Sequence, residues 1–418
     1  MDNASNAHIF APMSFDTDIL IAGGGLNGLS MALALRSAGF AVTLVDQMPV
    51  KTRANAKFDG RSYALAIASK HVMTALNVWD QIAEPQPILG IKVTDGRAGQ
   101  APSPLMLAFD HAEIEEGPMG FMVEDRKLRP ALLAVAKDAG VVQLDKDSVV
   151  GEAANASGTV VTLASGKTLR ARLLIACDGK TSAIAARAGI RRTGWSYSQT
   201  ALVCAISHEK PHHGIAHQYF MPAGPLAILP LTEDRASIVW TEKTGRADAI
   251  QAMSDAEYLE ELRPRFGTFL GDINLAGDRF TYPLSLSLAS SFVGDRLALV
   301  GDAAHVVHPI AGQGLNAGLK DVAALAQVLT DARRRGEDIG RADVLARYQQ
   351  WRRFDTAALA VATDGFNRLF SNDNSLLRAA RDLGLAATNA IPGLRRGLIR
   401  EAAGLTGDLP RLAKGQPL

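Results

Sequence analysis

Asp18-Ile19-Leu20-Ile21-Ala22-Gly23-Gly24-Gly25-Leu26-Asn27-Gly28 runs from an apolar strand into a glycine turn. The spacing at Gly23, Gly25 and Gly28 is G-x-G-x-x-G. Helical spacing follows through Leu29, Ala32, Leu33 and Leu35 to Ala38, and Gly39 is a helix stop. Ala41–Val45 reads as a second strand, closed by Asp46. Strand, glycine turn, helix, strand and acid is the order of a dinucleotide-binding unit. Gly23 makes the tight turn, Gly25 lets a pyrophosphate approach the backbone, and Gly28 lets helix pack on strand. Asp46 is placed to accept hydrogen bonds from an adenosine ribose. The competing reading is a glycine turn in an ordinary βαβ unit.

A second stretch has related grammar. Leu297–Val300 reads as a buried strand and Asn316–Thr330 as a helix. Between them run Gly301-Asp302-Ala303-Ala304-His305-Val306-Val307-His308-Pro309-Ile310-Ala311-Gly312-Gln313-Gly314-Leu315. A carboxylate at a strand end can hold a hydroxyl. The amides of Gly312, Gln313 and Gly314, at a helix start, can hold an electron-rich group. Cys177-Asp178-Gly179 is another acid-glycine turn, after the buried strand Leu173–Ala176.

Elsewhere the patterns alternate between the two periods. Asp59–Leu65 leads into a helix ending near Trp79, with Arg61 able to clamp a phosphate or ribityl group or simply to be solvated at a helix start. Pro85–Pro104 reads as short strands and turns. Met119–Arg126 reads as a strand into the helix Leu128–Ala139, and Val160–Ile175 as a hairpin. A helix is expected over Ala183–Gly189. From Thr200 to Trp240 closely spaced alternating runs predict an antiparallel sheet. Asp255–Phe266 is helical, and Thr281–Leu288 alternates again. Amphipathic helices are expected over Tyr348–Phe370 and Leu376–Leu405, broken at Ile391-Pro392-Gly393.

The bulk properties exclude several classes. Hydrophobic content of 47% and charged content of 21% suit a globular chain. A net charge of +1 offers no electrostatic case for nucleic acid. Cys177 and Cys204 cannot build a disulfide framework or a four-cysteine zinc site, and a reducing compartment is the simplest reading. Met1–Phe15 lacks a basic region followed by an apolar one, so no signal peptide is expected. No apolar run approaches the ~18 residues of a membrane span, so any membrane contact is expected from the surface.

His305-x-x-His308 and His212-His213-x-x-x-His217 miss the zinc spacings, and no metal site is expected. His305 and His308 are expected to pack and hydrogen-bond around their turn. G-x-S-x-G and P-loop motifs are absent. Without an obvious acid, base or nucleophile set, a cofactor carries the chemistry. NAD alone would leave Asp178 and Asp302 without a purpose, whereas FAD, with a ribityl chain and a three-ring head, has hydroxyls for them to hold.

Gly23-x-Gly25-x-x-Gly28, Asp178-Gly179 and Gly301-Asp302-Ala303-Ala304-His305 resemble, in order, the three motifs of the aromatic flavin hydroxylases. These are single-component FAD monooxygenases similar to para-hydroxybenzoate hydroxylase. Gly120–Arg126, Ala216–Phe220, Gly224–Pro230 and His308–Asn316 further resemble the ubiquinone-biosynthesis members, of the 2-octaprenyl-6-methoxyphenol hydroxylase type. The resemblance implies an α/β fold: a discontinuous Rossmann-like FAD-binding domain (15–80, 105–190 and 285–370) interrupted by a β-sheet substrate domain (81–104 and 191–284). A C-terminal helical region (371–418) follows.

The resemblance also implies roles. Gly23, Gly25, Leu26, Asn27 and Gly28 would hold the pyrophosphate, and Asp46 the ribose. Arg61 and Arg126 would lie near the phosphates and ribityl chain. Asp178 would support the cofactor, and Asp302 would hold the ribityl or pyrophosphate region. Gly312, Gly314, Leu315 and Asn316 would face the pyrimidine edge, with Pro309 and Gln313 also beside the ring. No side chain acts as acid, base or nucleophile. O2 and a prenylated phenol would be the substrates, through a flavin C4a-hydroperoxide, with NAD(P)H or an external reductase or ferredoxin as electron donor. A cytoplasmic enzyme, peripheral on the inner membrane surface or held in a ubiquinone-biosynthesis complex by its C-terminal helices, is the expected setting. The plainer role of those helices is packing on the FAD-binding domain. Three departures stand out: Ala185 replaces an arginine common in relatives, with Arg187 the nearest; Gln47 follows Asp46; and no benzoate-carboxylate clamp is found. The alternatives are a hydroxylase of another small phenol, a flavin-dependent prenyl reductase, and a non-catalytic FAD-containing subunit.

Overall fold

The computed structural model describes residues 14–55, 57–100, 103, 105–371 and 375–418. Most of the Met1–Phe15 stretch, and residues 101, 102 and 104 of the Pro85–Pro104 stretch, lie outside the described residues.

The strand Thr17–Ala22 forms the middle of a parallel sheet. It pairs with Val42–Asp46 on one side and Thr168–Ala176 on the other. Leu297–Leu299 extends the sheet beyond Thr168–Ala176, and Val142–Asp145 beyond Val42–Asp46. Ile19, Leu20 and Ile21 are fully buried, so both faces of the strand are covered, which is why it is apolar throughout rather than alternating. The helix Leu26–Ser37 buries Leu29, Met31, Ala32 and Leu35. The 22-residue helix Gln313–Arg334 packs against it. The strands ending at Ala22, Ala176 and Leu299 are neighbours, so the turns carrying Gly23, Asp178 and Asp302 leave the sheet side by side. Ligands of open α/β sheets bind at such carboxyl edges.

A second sheet is built around the 17-residue strand Arg192–His208. It pairs antiparallel with Arg235–Lys243 and Phe280–Ala289. Gly224–Leu231 and Ile215–Met221 continue the sheet antiparallel, and Gly90–Asp95 joins in parallel. Leu202, Cys204, Ile238 and Trp240 pack on the helix Asp255–Phe266, which opens with a Ser254–Glu257 capping box. The strand begins eight residues earlier than the alternation at Thr200 suggested. Arg192–Ser198 forms a ribbon whose side chains are mostly exposed, so no buried face imposes a period on it. The stretch Leu107–Asp110, expected with the flavin domain, pairs with Gly90–Asp95 in this second sheet.

Ser62–Ala66, Gly120–Glu124 and Gln86–Ile88 make a small antiparallel sheet. The helix expected after Leu65 begins at Ile67 and ends at Ala75, short of Trp79. Tyr63-Ala64-Leu65-Ala66 suits either state, and pairing with Gly120–Glu124 decides it. The C-terminal helices Ala342–Phe370, Ser375–Ala390 and Pro392–Ala402 fold back on the body. Arg381 is buried and pairs with the buried Asp95 at 2.6 Å, and Ala68 N donates to Ala403 O at 3.1 Å. Among the described residues, no helix is long and apolar enough to cross a membrane.

Candidate active site

The glycine turn is built by sterics. Gly23 has φ +102°, and a side chain there would meet the Cys177 carbonyl. A side chain at Gly28 would strike the Gly23 carbonyl. Gly25 is different: nothing lies within 4 Å of where its Cβ would be. The space over Gly25 is open, while that under Gly23 and Gly28 is filled. Leu26 is buried below the turn. Asn27 is wedged against Gly301 and Gly318, where a Cβ would collide with its amide, and Asn27 Oδ1 has no hydrogen-bond partner.

Asp46 is already engaged. Its Oδ2 accepts from Gly24 N at 2.5 Å and its Oδ1 from Met48 N at 2.7 Å. Beneath lies Arg53, buried, donating from Nη1 to Gly24 O at 2.9 Å. Arg61 pairs with Asp59 at 2.7 Å and lies 3.5 Å from Asp125. Asp125 in turn accepts from Arg129 at 2.8 Å and from the Tyr63 hydroxyl at 2.9 Å. Arg126 is set apart from this cluster. It pairs with Glu124 at 2.5 Å and stacks on Phe58, whose ring Arg235 also approaches.

Asp178 and Asp302 come together around Arg192. Arg192 donates to the carbonyls of Asp302 (3.2 Å) and Ala303 and to Ser287 Oγ (2.8 Å). Burial lowers this guanidinium from its usual value, opposed by the charges of Asp302 and Asp178. The Asp302 carboxyl reaches solvent, but the protein crowded around it raises it above the ordinary value, against the pull of His305, Arg192 and Lys180. Asp178 Oδ1 is buried without a partner. Open space surrounds Gly179 as well.

Under the 301–316 turn lies a charge network that the motifs did not reveal. Asp321, fully buried, accepts from Gly301 N at 3.0 Å, from Arg352 Nε at 2.8 Å, and pairs with His305 Nε2 at 2.6 Å. Burial alone would raise this carboxyl; His305 and Arg352 outweigh it and hold it below the usual range. The network fixes the backbone of Gly301 and so turns Asp302 outward.

His308 departs from expectation. It is fully buried, stacks edge-on against Tyr197 at 5.1 Å, and neither ring nitrogen has a hydrogen-bond partner. Burial pushes it down to about 4, with Asp364 pulling the other way. Pro309 is exposed. Gly312 takes φ +64° directly before the helix Gln313–Arg334. Gly314 faces open space. Leu315 is half-buried. The Asn316 side chain is committed to the protein: it accepts from Ala66 N (2.9 Å) and Ser69 Oγ (2.6 Å) and donates to Ala64 O (2.9 Å) and Gly312 O (3.0 Å). All four of its bonds are used, so its side-chain amide anchors the turn to the strand Ser62–Ala66. Arg187 binds Glu152 at 2.7 Å on the surface, and the helix after Asp178 is capped by Ser182.

An FAD-shaped donor set fits these residues: unfilled space over Gly25, Gly179 and Gly314, an unpartnered Asp178 oxygen, and helix-start amides at 313–315. The family model described as FAD binding domain matches residues 16–362. A ubiquinone hydroxylase, UbiL, of Rhodospirillum rubrum is 41% identical over 406 residues, 96% of this chain and 93% of that protein. The 3-demethoxyubiquinol 3-hydroxylase of Escherichia coli is 35% identical, covering 93% of this chain and 99% of its own length. The crystal structure of p-nitrophenol 4-monooxygenase PnpA from Pseudomonas putida DLL-E4 superposes with a TM-score of 0.76 over 94% of this chain and 98% of that one. At 18% identity that match speaks for the fold alone. The chain belongs to the FAD-binding-domain family, as a flavin-dependent monooxygenase of the group that contains the ubiquinone hydroxylases.

Proposed function

We propose that this protein hydroxylates the aromatic ring of a polyprenyl phenol in ubiquinone biosynthesis, with O2 as the oxygen source. The observation that carries this reading is the 41% identity to a ubiquinone hydroxylase across almost the full length of both chains. Bound and reduced, FAD supplies the activation of O2 and the delivery of one oxygen atom to the ring. The protein's own residues bind, orient and exclude water.

In this account Gly23, Gly25 and Gly28 make room for the pyrophosphate, and the amides of Leu26 and Asn27 face it. Asp46 accepts from the ribose. Asp178 and Asp302, gathered around Arg192, accept from the ribityl hydroxyls. Arg61 balances phosphate charge through its tie to Asp59 and Asp125. Arg126, bound to Glu124, steadies the rim. Pro309 and the amides of Gly312, Gln313, Gly314 and Leu315 line the ring edge. The positive end of the helix Gln313–Arg334 favours negative charge there. The phenol enters between this turn and the second sheet, whose apolar strands Ile215–Met221 and Gly224–Leu231 offer a face for the prenyl tail. Stretches 15–80, 105–190 and 285–370 act as the cofactor domain, apart from Leu107–Asp110, which joins the substrate domain of 81–104 and 191–284. Electrons come from NAD(P)H or an external reductase.

A prenyl tail places the substrate in a lipid surface, and the C-terminal helices expose Phe354, Val361, Leu383, Ile391 and Leu394. Peripheral contact through these helices is part of the proposal. Mass spectrometry of lipid extracts from cells lacking the gene tests the pathway. One prenylated phenol should accumulate while ubiquinone is lost. Unchanged ubiquinone with no intermediate counts against the assigned substrate.

A further inference from the structure

Arg53 has no part in the recognised motifs, yet it is placed under their centre. It lies in the short helix Val50–Arg53, beyond the strand that ends at Asp46. Its side chain is 3% exposed. Nη1 donates to Gly24 O at 2.9 Å, and Nη2 to Gln143 Oε1 at 3.2 Å. Nε has no hydrogen-bond partner and lies 3.8 Å from Asp46 Oδ1. A Cβ on Gly24 would collide with this guanidinium. Burying such a charge is costly unless it is paired and hydrogen-bonded. Burial lowers the group from its usual value, and Asp46 and Asp145 oppose that, with Arg129 adding repulsion.

The contacts form a closed loop. Arg53 holds the carbonyl of Gly24, and the amide of the same residue donates to Asp46 Oδ2 at 2.5 Å. Asp46 Oδ1 is fixed by Met48 N. Arg53 adds charge beside Asp46 without taking a hydrogen bond from it. Each carboxylate oxygen keeps a further lone-pair direction for a ligand hydroxyl. The glycine turn and the ribose acid are thereby oriented relative to one another before any ligand arrives.

We propose that Arg53 is a positioning residue for the adenosine half of FAD, acting through Gly24 and Asp46. This rests on the FAD-binding reading above. The inference predicts that its loss weakens FAD but not FMN, which lacks the adenosine. A merely structural arginine would loosen the fold and weaken both.

The test uses full-length protein stripped of flavin, titrated with FAD and with FMN by quenching of flavin fluorescence. Wild-type protein that does not bind FAD would overturn the cofactor reading itself, a separate failure. With wild-type binding established, Arg53→Met should raise the Kd for FAD at least tenfold and leave that for FMN within twofold. Arg53→Lys, which keeps the charge and one donor for Gly24 O, should recover part of the loss. It carries the same comparison if Arg53→Met does not accumulate as folded protein. Equal weakening of FAD and FMN, or unchanged FAD affinity, would overturn the assignment.

Discussion

Asp321 and His308 are two ways a buried polar side chain can serve a turn. Asp321 is fully paired, and it braces Gly301 from below. His308 has no partner for either nitrogen. Its folded value near 4 lies below the unfolded value of about 6.5. Between those two values only the unfolded chain takes up the proton, so stability falls as pH drops from about 6.5 to about 4. Between pH 7 and pH 5 the loss from this one residue is about 2 kcal/mol. His217, also near 4, acts in the same direction. Urea titrations at both pH values should show a smaller acid loss in His308→Leu than in wild type, by about that amount. Equal losses would mean His308 is not a buried neutral imidazole. In the sequence, Asp178 and Asp302 were visible because each follows a strand. Arg53 and Arg192 were not, because Gly24 lies 29 residues from the first and Asp302 110 from the second. Asp321 left one unused signal: it shares a helical face with Ala317, Ala324 and Val328, all buried, and an acid there requires a partner.

The glycine turn and its helix separate space for the fold from space for the ligand. Gly25 has ordinary backbone angles, φ −69° and ψ −175°, and nothing near its missing Cβ. Gly28 has the Gly23 carbonyl against it. Gly25→Ala should therefore leave the flavin-free protein as stable as wild type, or more stable by about 0.4–1 kcal/mol, and still lose FAD affinity. Gly28→Ala should cost about 1–3 kcal/mol of stability as well. Thermal melts of the stripped proteins, with and without FAD, separate the two. A destabilised Gly25→Ala would contradict the account of that space. Elements with one buried face and a clear period were readable: Asp255–Phe266 falls where the pattern put it. Ser62–Ala66 was not, because its strand state depends on a partner 54 to 62 residues on, as Ala66 opposite Gly120 and Ser62 opposite Glu124 show.

At the scale of the whole molecule, three segments far apart in sequence deliver one carboxyl edge. Val42–Asp46 and Thr168–Ala176 flank the first strand, and Leu297–Leu299 joins beside Thr168–Ala176 only after the second sheet has been inserted. The order of motifs foretold this interruption, while the exposed ribbon Arg192–Ser198 and the transfer of Leu107–Asp110 to the second sheet had no pattern to announce them. The buried Arg381–Asp95 pair ties the C-terminal helices to that sheet, leaving their outer apolar side chains exposed. The most direct measurement of the central claim is a turnover under 18O2. FAD-loaded protein, an electron donor and a prenylated phenol in detergent micelles would be analysed by mass spectrometry. The account predicts a hydroxylated phenol carrying one atom of 18O, formed only with FAD present. A product without the label, or a reduced prenyl chain in its place, would contradict it.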